Sequence, residues 1–404
     1  MSPNSSRLGR HAAKTVIVFL LALPAVLSIE RALNKPADPN LTQLPPVPRT
    51  LADWTAAPPK LSAWVDDHFG GRKLFIRLGT FVRFHLFNEF PTIQMAAGQH
   101  GRYFLAAHGT NVAQYQAITT VCGKGVANAT TIPYLNKLFG AFHAAGLQPK
   151  LLVVPSAPAV YPEDVPSALV AECSSERTAV TTVLAAPELA REASGNMFYP
   201  LKEMREIKKS ATLFPDTWFH WTGAGLDQVA RLSLTHFWQR PLDQGPPLQT
   251  RSSVAQSDVS HLFEGITLKS TIVEPDLDAS GIKACFGRDC YPEVAAAHIL
   301  QDVSRFDNPK APARRLLIIS DSFGVKIAPW YARYYRQVEH MATNRVDQLS
   351  PQQLAELKTF LYRDPGQTDI LILYHDGGAM YDTLRLGTDN MLPAALPAVP
   401  PKQG

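Results

Sequence analysis

Arg315-Leu316-Leu317-Ile318-Ile319-Ser320-Asp321-Ser322-Phe323-Gly324 is the stretch that decides how this chain folds. Its unbroken aliphatic run reads as a strand buried on both faces, and the polar turn after it leads into a helix. Ile327, Trp330, Tyr331 and Tyr334 recur at helical spacing directly downstream. Val338 to Met341 then reads as a short strand. Ser350-Pro351-Gln352-Gln353 is a capping box with Pro at the first helical position, and it opens a helix carrying Leu354, Leu357 and Leu361. Asp369-Ile370-Leu371-Ile372-Leu373-Tyr374 is a last buried strand. Alternation of apolar strands with helices predicts a parallel central sheet covered on both faces, an α/β/α sandwich.

The same pattern extends upstream. Leu135, Leu138, Phe139 and Phe142 mark a helix over about 132–145, with Gly146 placed to end it. Lys150 to Pro155 then reads as a buried strand. Thr222 caps a helix carrying Leu226, Val229, Ala230 and Phe237. Leu74, Phe75, Leu78, Phe81 and Val82 recur as one face of an earlier helix.

In a parallel sheet, reactive groups gather where the strands end. Ser322 stands at such an end, at the N-terminus of the next helix, where free backbone N–H groups can hold an oxyanion. A serine hydroxyl needs a base. The best placed of the 12 histidines is His220, in Phe214-Pro215-Asp216-Thr217-Trp218-Phe219-His220-Trp221-Thr222-Gly223, just before a helix. Asp216 is the nearest acid that can orient the imidazole. Trp218 and Trp221 flank the histidine and are the expected substrate contacts. Asp321 is expected to brace the nucleophile turn beside the substrate, and His375, after the last strand, to line the groove or form the exit turn.

Composition bounds the rest. The chain has 404 residues, 46% hydrophobic and 18% charged, which is globular and long enough for one large domain or two ordinary ones. The net charge is +4, and no Lys/Arg run interleaves with aromatics, so nucleic-acid binding has no support. Cys285 and Cys290 enclose a short Gly-containing loop that suits a local disulfide, leaving Cys122 and Cys173 as the second pair; four buried thiols is the alternative. Disulfides imply an oxidising compartment. No cysteine or histidine cluster has metal spacing, so no metal or other cofactor is expected.

Residues 1–14 carry Arg7, Arg10 and Lys14 and precede an apolar run, Thr15 to Ile29. With Ala12 and Ala13 this run reaches about 27 Å as a helix. It reads as an uncleaved signal-anchor with a cytoplasmic N-terminus, the alternative being a cleaved signal peptide. Pro36, Pro39, Pro45, Pro46, Pro48, Pro58 and Pro59 mark 30–59 as an extended tether. The catalytic domain is expected over 60–390, with a loose Pro/Ala-rich tail over 391–404.

With these motifs in place, the chain resembles the periplasmic alginate O-acetyltransferase group, whose catalytic domain is similar to SGNH hydrolases. The likeness covers most of residues 60–375. It runs through Trp64-Val65-Asp66-Asp67-His68-Phe69-Gly70-Gly71-Arg72, Gly98-Gln99-His100-Gly101-Arg102-Tyr103-Phe104, Val153-Val154-Pro155-Ser156, Tyr161-Pro162-Glu163 and Pro166. The group's Asp-x-His-Trp motif resembles the stretch ending His220-Trp221-Thr222-Gly223-Ala224, and its Gly-Asp-Ser-Phe motif resembles Ser320 to Phe323. The resemblance implies Ser322 as nucleophile and His220 as base. Two departures stand out. The group's acid lies two residues before the histidine, where this chain has Trp218, and Ser320 replaces the first Gly.

The resemblance further implies acetyl transfer to hydroxyls of an exported polysaccharide. It implies a membrane-bound O-acyltransferase partner that supplies acetyl groups, and a place beside the polysaccharide synthesis and export complex. An acetyl esterase using the same Ser and His is one alternative. A non-catalytic carbohydrate-binding scaffold is the other, and the displaced acid is its support.

Overall fold

In the computed structural model, residues 42–68, 72–123, 125–239, 246–263 and 265–393 are described. The expected basic segment and signal-anchor fall outside them, as does most of the tail. Among the described residues no helix is long and apolar enough to cross a membrane. The described chain divides into two compact units, one reaching Pro91 and including Phe263–Ile266, the other holding the remainder.

Eleven strands are described: β1 (Met95–Ala97), β2 (Tyr103–Leu105), β3 (Pro149–Val154), β4 (Met197–Phe198), β5 (Thr250–Gln256), β6 (Lys269–Pro275), β7 (Lys283–Phe286), β8 (Val303–Asp307), β9 (Arg315–Ser320), β10 (Gln337–Ala342) and β11 (Thr368–His375). Helices of eight or more residues are α1 (Leu51–His68), α2 (Arg72–Phe87), α3 (Thr131–Ala144), α4 (Gly225–Trp238), α5 (Gly324–Tyr331) and α6 (Pro351–Leu361).

The first unit contains α1 and α2. Thr50 and Asp53 cap α1 reciprocally, Asp53 Oδ2 accepting the Thr50 N–H at 2.9 Å and Thr50 Oγ1 accepting the Asp53 N–H at 3.2 Å. The last nine residues of the expected tether, 51–59, are therefore helical, although Pro58 and Pro59 lie among them. The helix expected from Leu74, Phe75, Leu78, Phe81 and Val82 is present as α2, and its apolar residues are largely exposed.

The second unit is built on a seven-stranded sheet of order β4-β3-β11-β9-β10-β8-β7. β4, β3, β11, β9 and β10 pair in parallel. β8 runs antiparallel to both β10 and β7, so the sheet is mixed, not wholly parallel as expected. For β8 the reason is legible in the chain: only 308–314, seven residues, separate it from β9, and a parallel crossover needs a dozen or more.

Side-chain alternation divides the core into two layers. On one face Leu316 and Ile318 of β9 join Leu371 and Leu373 of β11, packed with Leu226 and Val229 of α4 and Ile327 of α5. On the other, Leu317, Ile319, Ile370 and Ile372 pack with Leu135 and Leu138 of α3 and Leu357 and Leu361 of α6. All six residues of β9 are buried. The expected three-layer arrangement is thus present in this unit. The α6 capping box forms as read, Ser350 Oγ accepting from the Gln353 N–H and Gln353 Oε1 from the Ser350 N–H.

Both disulfides form with the expected pairing, Cys122–Cys173 and Cys285–Cys290. Their separations of 51 and 5 residues predict unequal worth. Loop-closure entropy gives about 4 kcal/mol for the long loop and about 2 kcal/mol for the short one. Replacing Cys122 and Cys173 together by Ser should lower the denaturation midpoint more than replacing Cys285 and Cys290. Equal losses in a denaturant titration would show that the loops are already restrained when unfolded.

Candidate active site

β9 and β11 are adjacent and in register, Leu373 beside Ser320, so both end at one sheet edge. His375 closes β11 there, and Ser322 follows β9 by two residues. The nucleophile turn is tightly determined. Asp321 Oδ1 accepts the Phe323 N–H at 2.9 Å, while Asp321 Oδ2 accepts the His375 N–H at 2.9 Å and its ring Nδ1–H at 2.7 Å. Ser320 is buried, with its Oγ 2.8 Å from His340 Nε2. Burial pushes His340 down to about 3, so this inner imidazole is neutral. A Cβ at position 324 would lie 2.0 Å from Ser320 Oγ and 2.8 Å from His340 Nε2, which is why only Gly fits there.

The base arrives from the loop before α4. Trp221 is fully buried and donates its indole N–H to the Phe323 carbonyl at 2.7 Å, which fixes the His220 loop to the nucleophile turn. Gly223 follows at φ +145, and a Cβ there would lie 2.3 Å from the Thr212 carbonyl oxygen. The result is a meeting of residues 102 positions apart: His220 Nε2 lies 2.8 Å from Ser322 Oγ.

The other ring nitrogen faces Asp258, not Asp216. His220 Nδ1 donates to Asp258 Oδ2 at 2.7 Å, and the same carboxylate accepts the backbone N–H groups of Phe219 at 2.9 Å and His220 at 2.8 Å. Burial alone would raise the Asp258 carboxyl, but the bonds and charge from His220 and the two N–H donors bring it below the ordinary carboxylate range. It is therefore a fixed anion that selects the tautomer with Nε2 free to accept a proton.

Asp258 is carried by the β5–β6 hairpin. Ser257 donates its hydroxyl to the Thr217 carbonyl at 2.5 Å, and Thr217 and Ser270 hydroxyls are 2.9 Å apart. Asp216 is corrected to a structural place: its Oδ1 accepts from Arg102 Nη2 at 2.7 Å. Arg102 is buried and also bonds Asp164 and the carbonyls of Phe214 and Pro215, under the Tyr161 ring. That clamp holds the segment leading to His220.

Two expected substrate contacts are also corrected. Trp221 has no exposed surface, and Asp321 is committed to Phe323 and His375 inside the turn. Trp218 is mostly buried but lines a cavity with Tyr103, His108, Phe219 and His375. His375 stacks on Phe323, ring centroids 4.8 Å apart. Burial opposes its charged form, but the Asp321 carboxylate outweighs that and raises it above the usual histidine value. A raised group stabilises the fold fully below its unfolded pKa and loses that contribution as pH rises through the folded value. His375→Asn keeps a donor to Asp321 without the charge. Its thermal midpoint should fall further below wild type at pH 6 than at pH 9, and a deficit independent of pH would contradict this.

Ser322, His220 and Asp258 thus form a continuous hydrogen-bonded Ser–His–Asp chain on an α/β/α sandwich, an arrangement that acyl transfer and ester hydrolysis can use. Among the described residues the Ser322 backbone N–H has no hydrogen-bond partner, which leaves it for an oxyanion.

No family model matches the chain, and no curated protein matches it by sequence. Among solved structures it is similar to a DHHW family protein from Eubacterium siraeum, at 16% identity over 67% of this chain and 91% of that one, with a TM-score of 0.48. It is also similar to Bacillus cereus PatB1 with a sulfonyl adduct (14% identity, 64% of this chain, 90% of that one, TM-score 0.42). A third likeness is to the O-acetyltransferase domain of Pseudomonas putida AlgJ (14% identity, 71% of this chain, 92% of that one, TM-score 0.39). The reading of individual residues rests on the distances above.

Proposed function

We propose that this chain is an O-acetyltransferase that acetylates hydroxyl groups of an exported polysaccharide through an acyl-enzyme on Ser322. The observation that carries the proposal is the continuous bond chain from Ser322 Oγ through His220 to Asp258. The motif resemblance supplies the acetyl group and the polysaccharide class.

In the first half-reaction His220 Nε2 takes the Ser322 hydroxyl proton as Oγ attacks the acetyl carbonyl. The Ser322 N–H stabilises the oxyanion, and the donor's leaving group departs with the proton returned by His220. In the second, His220 removes a proton from a sugar hydroxyl, which attacks the acyl-enzyme and releases Ser322. Asp258 balances the imidazolium in both steps without taking its proton. The reading places the chain at the inner membrane with its catalytic unit in the periplasm, where the two disulfides are at home. A membrane-bound O-acyltransferase would supply the acetyl groups, beside the machinery that makes and exports the polymer.

The test is direct. Full-length protein is given 4-nitrophenyl acetate with and without a panel of neutral and uronic-acid oligosaccharides, and products are read by mass spectrometry. Acetylated oligosaccharide supports transfer. Acetate released at the same rate with every acceptor identifies an esterase, and absence of any Ser322-bound acetyl sinks the nucleophile assignment.

A further inference from the structure

Helix α2, Arg72–Phe87, has an arrangement that catalysis does not use. Its apolar residues follow helical spacing, as a buried face would, yet Leu74, Leu78, Phe81 and Leu86 are 57%, 54%, 50% and 71% exposed. At 100° per residue Leu74, Leu78, Phe81 and Val82 fall within one stripe about 100° wide. The helix also carries Arg72, Lys73, Arg77 and Arg83 and no acidic residue over its 16 positions. An exposed apolar stripe on a helix whose charges are all positive matches the chemistry of an anionic bilayer surface, not that of water.

The chain path brings that surface close. Thr42 donates its backbone N–H to Asp67 Oδ2 at 2.9 Å, so the start of the described chain is held five residues before α2 begins. Thr42 follows Ile29, the end of the apolar run, by thirteen residue steps. Fully extended they reach at most about 45 Å. If that run is the membrane anchor, Thr42 lies within this reach of the bilayer, and α2 begins five residues beyond the Asp67 that holds it.

We infer that α2 lies in the membrane interface, with Leu74, Leu78, Phe81 and Val82 among the acyl chains and Arg83 available to anionic headgroups. Such a helix sinks its apolar face about 5–10 Å into the headgroup boundary. A second contact beside the anchor would hold the unit of α1 and α2 against the bilayer. The helix contact rests on charge and exposure, and only its proximity to the bilayer rests on the anchor reading.

The experiment uses the full chain with Phe81→Cys carrying a polarity-sensitive fluorophore, the four native cysteines being paired in disulfides. The probes are vesicles of phosphatidylethanolamine with phosphatidylglycerol, and vesicles of phosphatidylcholine alone. A blue shift and quenching by doxyl-labelled lipid are expected in the anionic vesicles, weaker in the zwitterionic ones and weaker again when Arg83→Glu is added. The same fluorophore at Val254→Cys, exposed on β5, should show neither. Flotation reads the anchor separately. A chain that floats while the Phe81 probe stays water-like overturns the α2 assignment alone. A probe that is shielded without lipid, in proportion to protein concentration, shows a second copy covering the stripe and also overturns it.

Discussion

Ser322→Ala should lower kcat for acetyl transfer by about 10⁶-fold, the order seen when a triad nucleophile is removed and only the binding site and oxyanion donors remain. The substitution deletes one oxygen whose described partner is His220 Nε2. The neighbouring turn is held by Asp321 and by the Trp221 indole, neither of which touches that oxygen. The variant should therefore melt with the wild type and fail only in chemistry. Loss of the covalent acetyl adduct by intact-protein mass spectrometry, with an unchanged melting curve, is the expected pair of results. A Ser322→Ala protein that still acetylates oligosaccharide would leave the scaffold reading standing.

The second large effect separates two carboxylates. Asp258→Asn should lower kcat by about 10⁴-fold while the geometry is kept. An amide at this position can donate to His220 Nδ1, so the imidazole would carry its proton on Nε2 and could no longer accept one from Ser322. With its NH2 at the Oδ2 position, Asn still offers its oxygen to the Phe219 N–H and gives up only the bond to the His220 N–H, so one backbone anchor of the loop remains. Asp216→Asn, by contrast, should leave kcat within a few fold. Its carboxylate is 64% exposed and serves Arg102, and such pairs are worth about 0–1 kcal/mol. Steady-state kinetics on the two variants decide the matter. The reverse ranking would mean that the 216–220 loop rearranges on binding substrate.

That contrast shows where sequence reading stops. The strand–turn–helix at 315–331, the histidine before α4 and the capping box at 350 are local patterns, each fixed by neighbours within a few positions. They were legible because an apolar run and a cap impose their structure wherever they fold. The meeting of Ser322 with His220 was legible through motif type and order. The acid was not. Asp258 lies 38 residues beyond His220, and its flanking residues follow no spacing rule. The only sequence-level hint was negative: Trp218 stands where an acid two residues before the histidine would be. Trp221 reads as a sugar contact when judged by residue type, yet its indole N–H is spent inside the fold on Phe323.

The sequence by itself determined the local elements, the alternation that buries β9 on both faces, the cysteine pairing and the choice of Ser322 and His220 as the pair to look for. Periodicity, caps and chain-local loops carry that information through short-range contacts. Only the tertiary structure decided which carboxylate reaches Nδ1, that the sheet ends in antiparallel strands, and that the apolar face of α2 stays in the open. Each of these depends on which distant surface a segment docks against. Docking is settled by the whole set of packed and hydrogen-bonded partners, and no single window of sequence contains that set.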